Sequence, residues 1–395
     1  MVYNTPRRSV NLAAYWNDSG IRPIVLQCIA LLAVVAVGIY LFHNTQVNLQ
    51  QRGIASGFGF LSSPSGFGIA QTLIPYSETS TYGRVFWVGL LNTLLVAGLG
   101  IILATLIGFI IGIARLSRNW LIARLATVYI EVFRNIPLLL QIFFWYFAVL
   151  RTMPAPRQSL RLGRAMYLNI RGLYLPKPLF ESGFGWVLAA FLVAVIVSVI
   201  LMRWARRRQE ATGQRFPTLY VSLGLIISLP VLSCFLAGFP LNWEYPALQG
   251  LNFSGGLSVM PELVALLAAL SVYTAAFIAE IVRAGIQSVS QGQTEAAYSL
   301  GLRPAQTLRL VIIPQSLWVI IPLLTSQYLN LTKNSSLAAA IAYPDLVSVF
   351  AGTVLNQTGQ AIEVIAITMA VYLTISLLIS LLMNGYNRRI ARVER

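Results

Sequence analysis

The sequence is poor in charged residues, and above all in acidic residues and lysines. Charged residues make up 10% of the 395 residues, with 12 Asp and Glu against 28 Lys and Arg, and Lys177 and Lys333 are the only lysines. A soluble domain carries about 25% charged residues, whereas 57% of this chain is hydrophobic. This composition excludes an ordinary soluble protein and predicts a membrane protein.

Cysteine and histidine are also scarce. The two cysteines, Cys28 and Cys234, both fall inside apolar runs, and His43 is the single histidine. Neither a Ser-His-Asp set nor a spacing of metal ligands can be built from so few residues. We therefore expect no disulfide, no metal, no cofactor and no catalytic residue, and we do not expect an enzyme.

A phosphate-binding loop is missing as well. The motif Gly-x4-Gly-Lys-Ser/Thr needs a lysine after a glycine, and neither lysine follows one. The net charge of +16 does not indicate a nucleic-acid partner, because the arginines form short clusters beside apolar runs. Such clusters suit anionic membrane lipid instead. Because the phosphate-binding loop is missing, any ATP-derived energy must come from another chain.

The chain does contain long apolar runs. About 20 apolar residues cross a bilayer as a helix, and eight segments are interpreted as spans, the first as a retained anchor and the seventh as a short span. They are residues 23–42, 85–114, 127–150, 184–202, 218–239, 263–282, 317–331 and 364–383. We predict an all-α membrane protein with about eight transmembrane helices.

The basic residues between spans predict the orientation, because Lys and Arg concentrate in cytosolic loops. Residues 203–215 contain five arginines, whereas 240–262 contain no basic residue. We expect both termini, with Arg7 and Arg8, in the cytosol. The loop 151–183 is an exception, since it carries six basic residues on the predicted outer side.

A short polar segment, QGQTEAAYSLGLRPAQTLRLVIIPQSL, lies on the predicted cytosolic side. Thr294 is expected as a helix N-cap, with Glu295 in the first turn and Gly301 as the left-handed residue that ends the helix. Pro304 then suits the first turn of a second helix. The two alanines after Glu295 permit a partner protein to pack closely against this helix, so the helix–bend–helix element is suited to binding by a partner.

The full pattern has Glu-Ala-Ala, three residues, Gly301, nine residues, Val311, one residue and then Ile313-Pro314. This pattern resembles the EAA loop of ABC-importer permeases, whose consensus has Ile and Leu where this chain has Val311 and Ile313. The resemblance implies that an ATPase couples to Glu295, Ala296, Ala297, Gly301, Ile313 and Pro314.

The resemblance extends to about residues 85–150 and 258–385. LLNTLLVAGLG, GIARLSRN, EVFRNIPLLLQ, SVYTAAFIAEIVRAGIQSVSQGQTEAAYSLGL and TSQYLNLTKNSSLAAAIAYPDL are similar to the polar amino acid subgroup of these permeases. The long insert is similar to that of the large permease subunits of general L-amino acid transporters. The predicted regions are an N-terminal anchor helix and outer loop (1–84), the first part of the permease core (85–150), an insert with two extra helices (151–257), and the second part of the core (258–395) with its coupling loop (290–314).

The resemblance implies a type I importer subunit, multi-pass in the bacterial inner membrane, that forms a translocation path for amino acids. Its implied partners are a cytosolic ABC ATPase dimer, a second, shorter permease, an external amino-acid-binding protein, the amino acid substrate and membrane lipid, with no nucleic acid. The alternative is a secondary transporter or a membrane receptor with a partner-binding cytosolic loop. A secondary transporter would favour internal repeats and intramembrane ion sites, which the sequence does not show.

Polar residues inside spans cost several kcal/mol unless they are paired or wet. Glu131 and Arg134 are one helical turn apart, so they either pair or shape an inner gate with Asn135 and with Pro137, which can bend the helix. Glu280 lies three residues before Arg283, and the same two interpretations apply.

Further polar residues mark a possible substrate path. Asn92 and Thr93 can serve as hydrogen-bonding contacts between helices. A cluster at the end of the seventh span either binds an amino acid zwitterion, with Lys333 facing the carboxylate, or belongs to a wet outer loop. The pathway or gate candidates are Asn92, Thr93, Glu131, Arg134, Asn135, Glu280, Asn330, Lys333, Asn334 and Ser335.

Overall fold

The structure is a computed structural model that describes residues 20–51, 56–163, 165–214 and 216–391. Some residues used for the orientation prediction lie outside these ranges, namely both termini, Arg7, Arg8, Arg164 and Arg215. Within the described ranges, seven helices are long and apolar enough to cross a membrane, or eight if one bent pair counts as a span. The predicted helical membrane class with about eight spans is confirmed.

The helices follow the predicted order, and several extend past the predicted spans. They are α1 (Ile21–Gln51), α2 (Tyr82–Arg115), α3 (Trp120–Asn135), α4 (Leu138–Phe143), α5 (Phe184–Thr212), α6 (Thr218–Leu236), α7 (Pro261–Gln287), α8 (Gln291–Ser299), α9 (Pro304–Thr307), α10 (Ile313–Asn334), α11 (Leu355–Thr358) and α12 (Ala361–Ala391). Helical turns of other types extend α4 through Phe144–Leu150 and join α9 to α10 through Leu308–Ile312. The seventh span is therefore part of a helical run of 38 residues, Pro304–Ile341, much longer than the predicted 317–331.

Eight short strands, which the sequence analysis did not predict, lie in the insert and at its border. They are β1 (Leu160–Leu162), β2 (Met166–Asn169), β3 (Gly172–Leu175), β4 (Lys177–Phe180), β5 (Leu241–Glu244), β6 (Ala247–Gln249), β7 (Asn252–Ser254) and β8 (Leu257–Val259). One antiparallel sheet has the order β1-β2-β3-β8, and β4–β5 and β6–β7 form separate pairs. Phe253 joins the β6–β7 pair to this sheet, because its ring centre lies 4.7 Å from that of Tyr167 and 4.8 Å from that of Tyr174.

The third predicted span is not one straight helix. α3 and the helical run from Leu138 to Leu150 are bent by 106°. Ile136 takes an extended conformation before Pro137, as expected for a residue before proline, so the predicted bend at Pro137 is confirmed. Gln141 stabilises the bend, since its Nε2 donates to the carbonyl oxygens of Phe133 and Ile136, each at 3.0 Å, which would otherwise lack partners at the end of α3.

The centre of the fold is the contact between α2 and α7. A Cβ built on Gly108 would lie 2.5 Å from Ile278 Cγ2, and one built on Gly112 would lie 2.7 Å from the Ala279 carbonyl oxygen. Glycines four residues apart let helix backbones approach closely in membranes, where packing replaces the hydrophobic effect. The α2–α7 pair thus forms a rigid centre, against which α10 packs.

Candidate functional site

The segment with the EAA-like pattern forms a helix, a sharp bend and a second helix. Gly301 has a φ of +77°, and its N–H donates to the Tyr298 carbonyl oxygen at 2.9 Å while the Leu302 N–H donates to that of Ala297 at 3.1 Å. These two bonds define a Schellman motif. The predicted left-handed glycine and the helix start at Pro304 are confirmed, whereas Thr294 is not the N-cap, because α8 begins at Gln291 after Ser290.

The outer side of this loop is unusually apolar for a solvent-facing turn. Leu300 is 82% exposed and Tyr298 is 47% exposed, whereas Ala297 is buried at 3%. Glu295 and Ala296 are exposed on the same short helix. The buried Ala297 packs the helix against the protein, and the exposed face offers a leucine, an aromatic ring and a carboxylate to a partner.

The end of the EAA-like pattern lies where the second helix enters the membrane-spanning run. Ile313 is 40% exposed and Pro314 is also exposed, directly after the π-helical turn Leu308–Ile312. A proline inside a helix removes one backbone donor, and π turns accommodate such interruptions. The loop is tied to this region by a 3.3 Å hydrogen bond from Gln315 Nε2 to Gln293 Oε1.

Glu280 lies at the centre of a charged cluster near the loop end of α7. Its carboxylate forms ion pairs with Arg115 of α2 and Arg283 of α7, and Arg283 also donates to Gln287. The predicted Glu280–Arg283 pair is confirmed, and Arg115 is a partner that the sequence analysis missed. The cluster joins the ends of the two central helices just before α8.

Glu131 and Arg134 do not pair, so that interpretation is wrong. Both are exposed on α3, and the Arg134 guanidinium carbon instead lies 5.2 Å from the ring centre of Phe277. Asn135 donates to the backbone oxygen of Glu131 at 2.7 Å. All three precede the bend, where a gating role stays a prediction.

Asn92 and Thr93 are fully buried on α2. Asn92 Nδ2 donates to the carbonyl oxygens of Gln71 and Pro344 at 2.9 and 2.8 Å, and Thr93 Oγ1 accepts from the Leu346 N–H at 3.0 Å. These bonds hold the segment after α10 against α2. The two side chains therefore position backbone rather than face an open cleft.

The polar cluster at the end of α10 divides between the surface and the interior. Ser335 is buried and donates to the Thr332 carbonyl oxygen at 2.7 Å, Asn334 is half-buried, and Asn330 and Lys333 are exposed. In the described part of the chain, the Lys333 ammonium has neither an ion pair nor a hydrogen bond. Lys333 is thus the charged member of this cluster that is free to meet a ligand.

Lys333 lines a cleft of about 430 Å³ between α10 and α12, open on one side. Its other lining residues are Ser336, Val347, Thr368, Met369, Tyr372, Leu373 and Ser376. This volume falls within the range of small-molecule sites, roughly 300–1,000 Å³. The combination of one cation, several hydroxyls and apolar walls suits a small amphipathic anion or zwitterion.

Asp345, beside this cleft, was missed by the sequence analysis. It is fully buried, accepts from the Ser348 N–H at 2.8 Å and lies 3.5 Å from the Tyr372 hydroxyl. The available signal was its place just before the apolar run LVSVFAGTV, where an aspartate caps a helix N-terminus. The carboxylate fixes this helical turn to α12 behind the cleft.

Among the described residues, no three His, Cys, Asp or Glu side chains come close enough to hold a metal ion.

Comparisons with known proteins place these features in a family. The family of binding-protein-dependent transport system inner membrane components matches residues 212–392. YhdX of Escherichia coli (strain K12), which carries the name of an amino-acid ABC transporter permease protein, is 61% identical over 98% of this chain and 99% of its own length.

Two further relatives also match nearly end to end. The general L-amino acid transport system permease protein AapQ of Rhizobium johnstonii is 55% identical over 96% of this chain and 94% of its own length. The glutamate/glutamine/aspartate/asparagine transport system permease protein BztB of Rhodobacter capsulatus is 46% identical over 99% of this chain and 98% of its own length.

The chain therefore belongs to the family of binding-protein-dependent transport system inner membrane components, the permease subunits of ABC importers. Within it, the chain is a multi-pass inner-membrane permease of the amino-acid group. The alternative of a secondary transporter or receptor receives no support. Permeases of this family are transport components and not catalytic subunits.

Proposed function

We propose that this chain is the membrane subunit of an amino acid importer and that an ATPase on a separate chain docks on the α8–Gly301–α9 element. This element lies within the predicted coupling segment 290–314, and the name coupling loop is used for it below. The single observation that carries the proposal is the exposure of Leu300 and Tyr298 on a rigid, Schellman-capped bend. Tyrosine is enriched at the buried centre of protein interfaces, and the exposed Leu300 adds apolar surface beside Tyr298.

The position of the coupling loop supports transmission of motion. α7 has 27 residues, which makes it about 40 Å long at 1.5 Å per residue. It ends at Gln287, and α8 begins at Gln291. Because the ion pairs of Glu280 hold α2 and α7 together at this end, displacement of the loop by a docked ATPase moves the central helix pair.

Gly301→Val tests the docking proposal. Valine is strained at a positive φ, so the bend should open, and uptake should be lost while membrane insertion is retained. ATP hydrolysis and uptake are measured together in proteoliposomes of the full complex. Gly292→Val is the matched control, since Gly292 lies on the same element with open space at its Cβ and no positive φ. Normal uptake by Gly301→Val at normal protein levels would refute the proposal.

The orientation and the partners follow from the same proposal. The coupling loop faces the cytosol and a dimer of ABC ATPases, and the sheet at the opposite end of α7 faces an external amino-acid-binding protein. A second permease covers the open side of the Lys333 cleft. Cysteines at Arg207 and Gln249 should react with impermeant thiol reagents from the cytosolic and the external side, respectively, and the reverse pattern would contradict this orientation.

We further propose that the Lys333 cleft belongs to the substrate path. The support is the Lys333 ammonium, which has no ion pair among the described residues, together with the volume and the hydroxyl groups of the cleft. The substrate class is amino acids, on the basis of the three similar permeases, whose names give amino acids in general or glutamate, glutamine, aspartate and asparagine. All of these share the α-carboxylate that a lysine would meet.

A further inference from the structure

Three exposed arginines lie at one corner of the four-stranded sheet. Arg157 is in the helical turn Pro156–Gln158 before β1, Arg161 is in β1, and Arg171 is in the turn between β2 and β3. We call these three residues the basic corner.

The strand register brings the three arginines to the same corner. Leu160 of β1 pairs with Leu168 of β2, so the start of β1 lies beside the end of β2 and the turn that carries Arg171. The Ile170 N–H donates to the Pro154 carbonyl oxygen at 3.1 Å, and Asn169 Nδ2 donates to Ser159 Oγ at 2.9 Å. These bonds fix the turn against the segment that carries Arg157.

The basic corner has no acidic partner within the described residues. Every ion pair among the described residues involves Glu280, which lies at the other end of α7. Two other basic residues nearby differ from these three: the Arg151 guanidinium donates to the Tyr146 hydroxyl, and Lys177 has the acidic residue Glu244 opposite it in the register of the β4–β5 pair. Three uncompensated cations are thus held together on the side of the membrane where basic residues are disfavoured.

The basic corner is attached to the permease core rather than to the α5–α6 pair. Gly172, next to Arg171, has a φ of +127°, and a Cβ there would lie 2.2 Å from the Val259 carbonyl oxygen. Val259 ends β8, which leads directly into α7. Leu168, Val259 and Met260 pack on the core cluster that contains Tyr146 and Leu263. A displacement of the basic corner is therefore transmitted to α7, and the far end of α7 precedes the coupling loop.

We propose that the basic corner is a docking surface for an acidic face of the external substrate-binding protein. This proposal rests on the proposed function, because the partner is the binding protein that the importer requires. The neighbouring β6–β7 pair contacts the turn that carries Arg157 and exposes Leu248 at 44% and Leu251 at 68%. Arginines beside apolar side chains are typical of protein interfaces, which favours a protein over a lipid headgroup.

The test uses the complete importer in nanodiscs with its purified binding protein, and measures ATPase stimulation against binding-protein concentration. The triple variant R157E/R161E/R171E should raise the half-maximal concentration about tenfold or more at low salt, and the shift should shrink at high salt. The maximal rate at saturation and the unstimulated rate should not change. K177Q removes a positive charge outside the corner without placing a carboxylate opposite Glu244; it is the control and should match the wild type.

A second variant works even if the charge reversals fail to fold. R157K/R161K/R171K in a K177R background keeps the charge and places amines at the corner, so a zero-length carbodiimide should join them to carboxylates of the binding protein. Absence of this adduct, or a wild-type concentration dependence in the triple glutamate variant, overturns the proposal.

A shift that disappears in nanodiscs of phosphatidylcholine alone would assign the corner to anionic lipid and would also overturn it. If the wild-type complex is not stimulated by the binding protein, the proposed function fails instead.

Discussion

The central helix α7 and the insert helices α5 and α6 differ in burial, although all three are long apolar helices. In the most apolar 18-residue window, 56% of α7 is buried, against 11% of α5 and 6% of α6. Yet α7 has the lowest mean hydropathy of the three, 2.0 against 2.8 and 2.2. In a membrane, lipid is as apolar as leucine, so small and polar residues rather than hydropathy decide which helix is central.

The two regions also use glycine differently. Gly108 and Gly112 of α2 lie against α7 with no room for a side chain, whereas Gly185 and Gly224 in the insert helices have open space around them. α5 and α6 pack mainly on each other, and the insert joins the core through the pairing of β3 with β8. The core is therefore a tightly fitted unit, and the α5–α6 pair is an attachment to it.

The largest effect is expected from filling the α2–α7 contact. Gly112→Leu would force side-chain atoms into the Ala279 carbonyl oxygen and Val282, and overpacking of this kind costs about 3 kcal/mol. We expect loss of the assembled complex in size-exclusion chromatography. Gly224→Leu, in α6, is the control and should assemble normally. Equal behaviour of the two variants would contradict the distinction between core and attachment.

A smaller effect is expected at the ion pairs between α2 and α7. Glu280→Gln leaves Arg115 and Arg283 without a carboxylate, and because the site is about one quarter exposed, a loss of about 2 kcal/mol of unfolding free energy is expected. Thermal unfolding of the solubilised permease measures it. Glu210→Gln, exposed at the end of α5, should leave the midpoint unchanged, and an unchanged midpoint in Glu280→Gln would show that the cluster is not structural.

The coupling loop was largely predictable from sequence, because its conformation is local. Gly301 and Pro304 have backbone requirements that no tertiary contact needs to supply, and both were placed correctly. Thr294 was misplaced, since the helix starts earlier, at Gln291, and helix starts are weakly determined when a capping side chain forms no bond. The functions of the loop residues stay predictions.

Long-range features could not be predicted. Arg115 and Glu280 are 165 positions apart, so nothing local marks them as partners. Of the two interpretations of Glu131, the pair with Arg134 one helical turn away was wrong, and the gate stays a prediction. The strands of the insert are three or four residues long, too short for a clear alternating pattern. The bend at Pro137 was predictable because proline restricts the residue before it.

Lys333→Met tests the Lys333 cleft, which belongs to the core and has no counterpart in the α5–α6 pair. If the ammonium meets the substrate carboxylate, loss of a charge-assisted hydrogen bond should lower uptake about tenfold, with ATPase assembly unchanged. Uptake of radiolabelled amino acids at matched protein levels measures this. Lys177→Met, in the sheet region, is the control. Unaltered uptake of every transported amino acid would remove the Lys333 cleft from the path.

The smallest effect is expected from removing the attachment itself. A Cβ built on Gly183 would lie 3.6 Å from that of Ala237, so residues 184–236 can be deleted and the ends joined with little displacement of β4 and β5. The deletion removes two transmembrane spans, α5 and α6, so every other helix keeps its orientation across the membrane.

Because α5 and α6 contribute little to the packing of the core, the shortened chain should assemble with the ATPase and retain uptake within about threefold of wild type, as expected for sites without shared partners. The control deletes the same number of residues from the core, 318–370, which removes most of α10 and the start of α12, and it should not assemble. If the shortened chain inserts but loses coupled uptake, the α5–α6 pair is part of the transport machinery, and the division of the molecule into core and attachment is wrong.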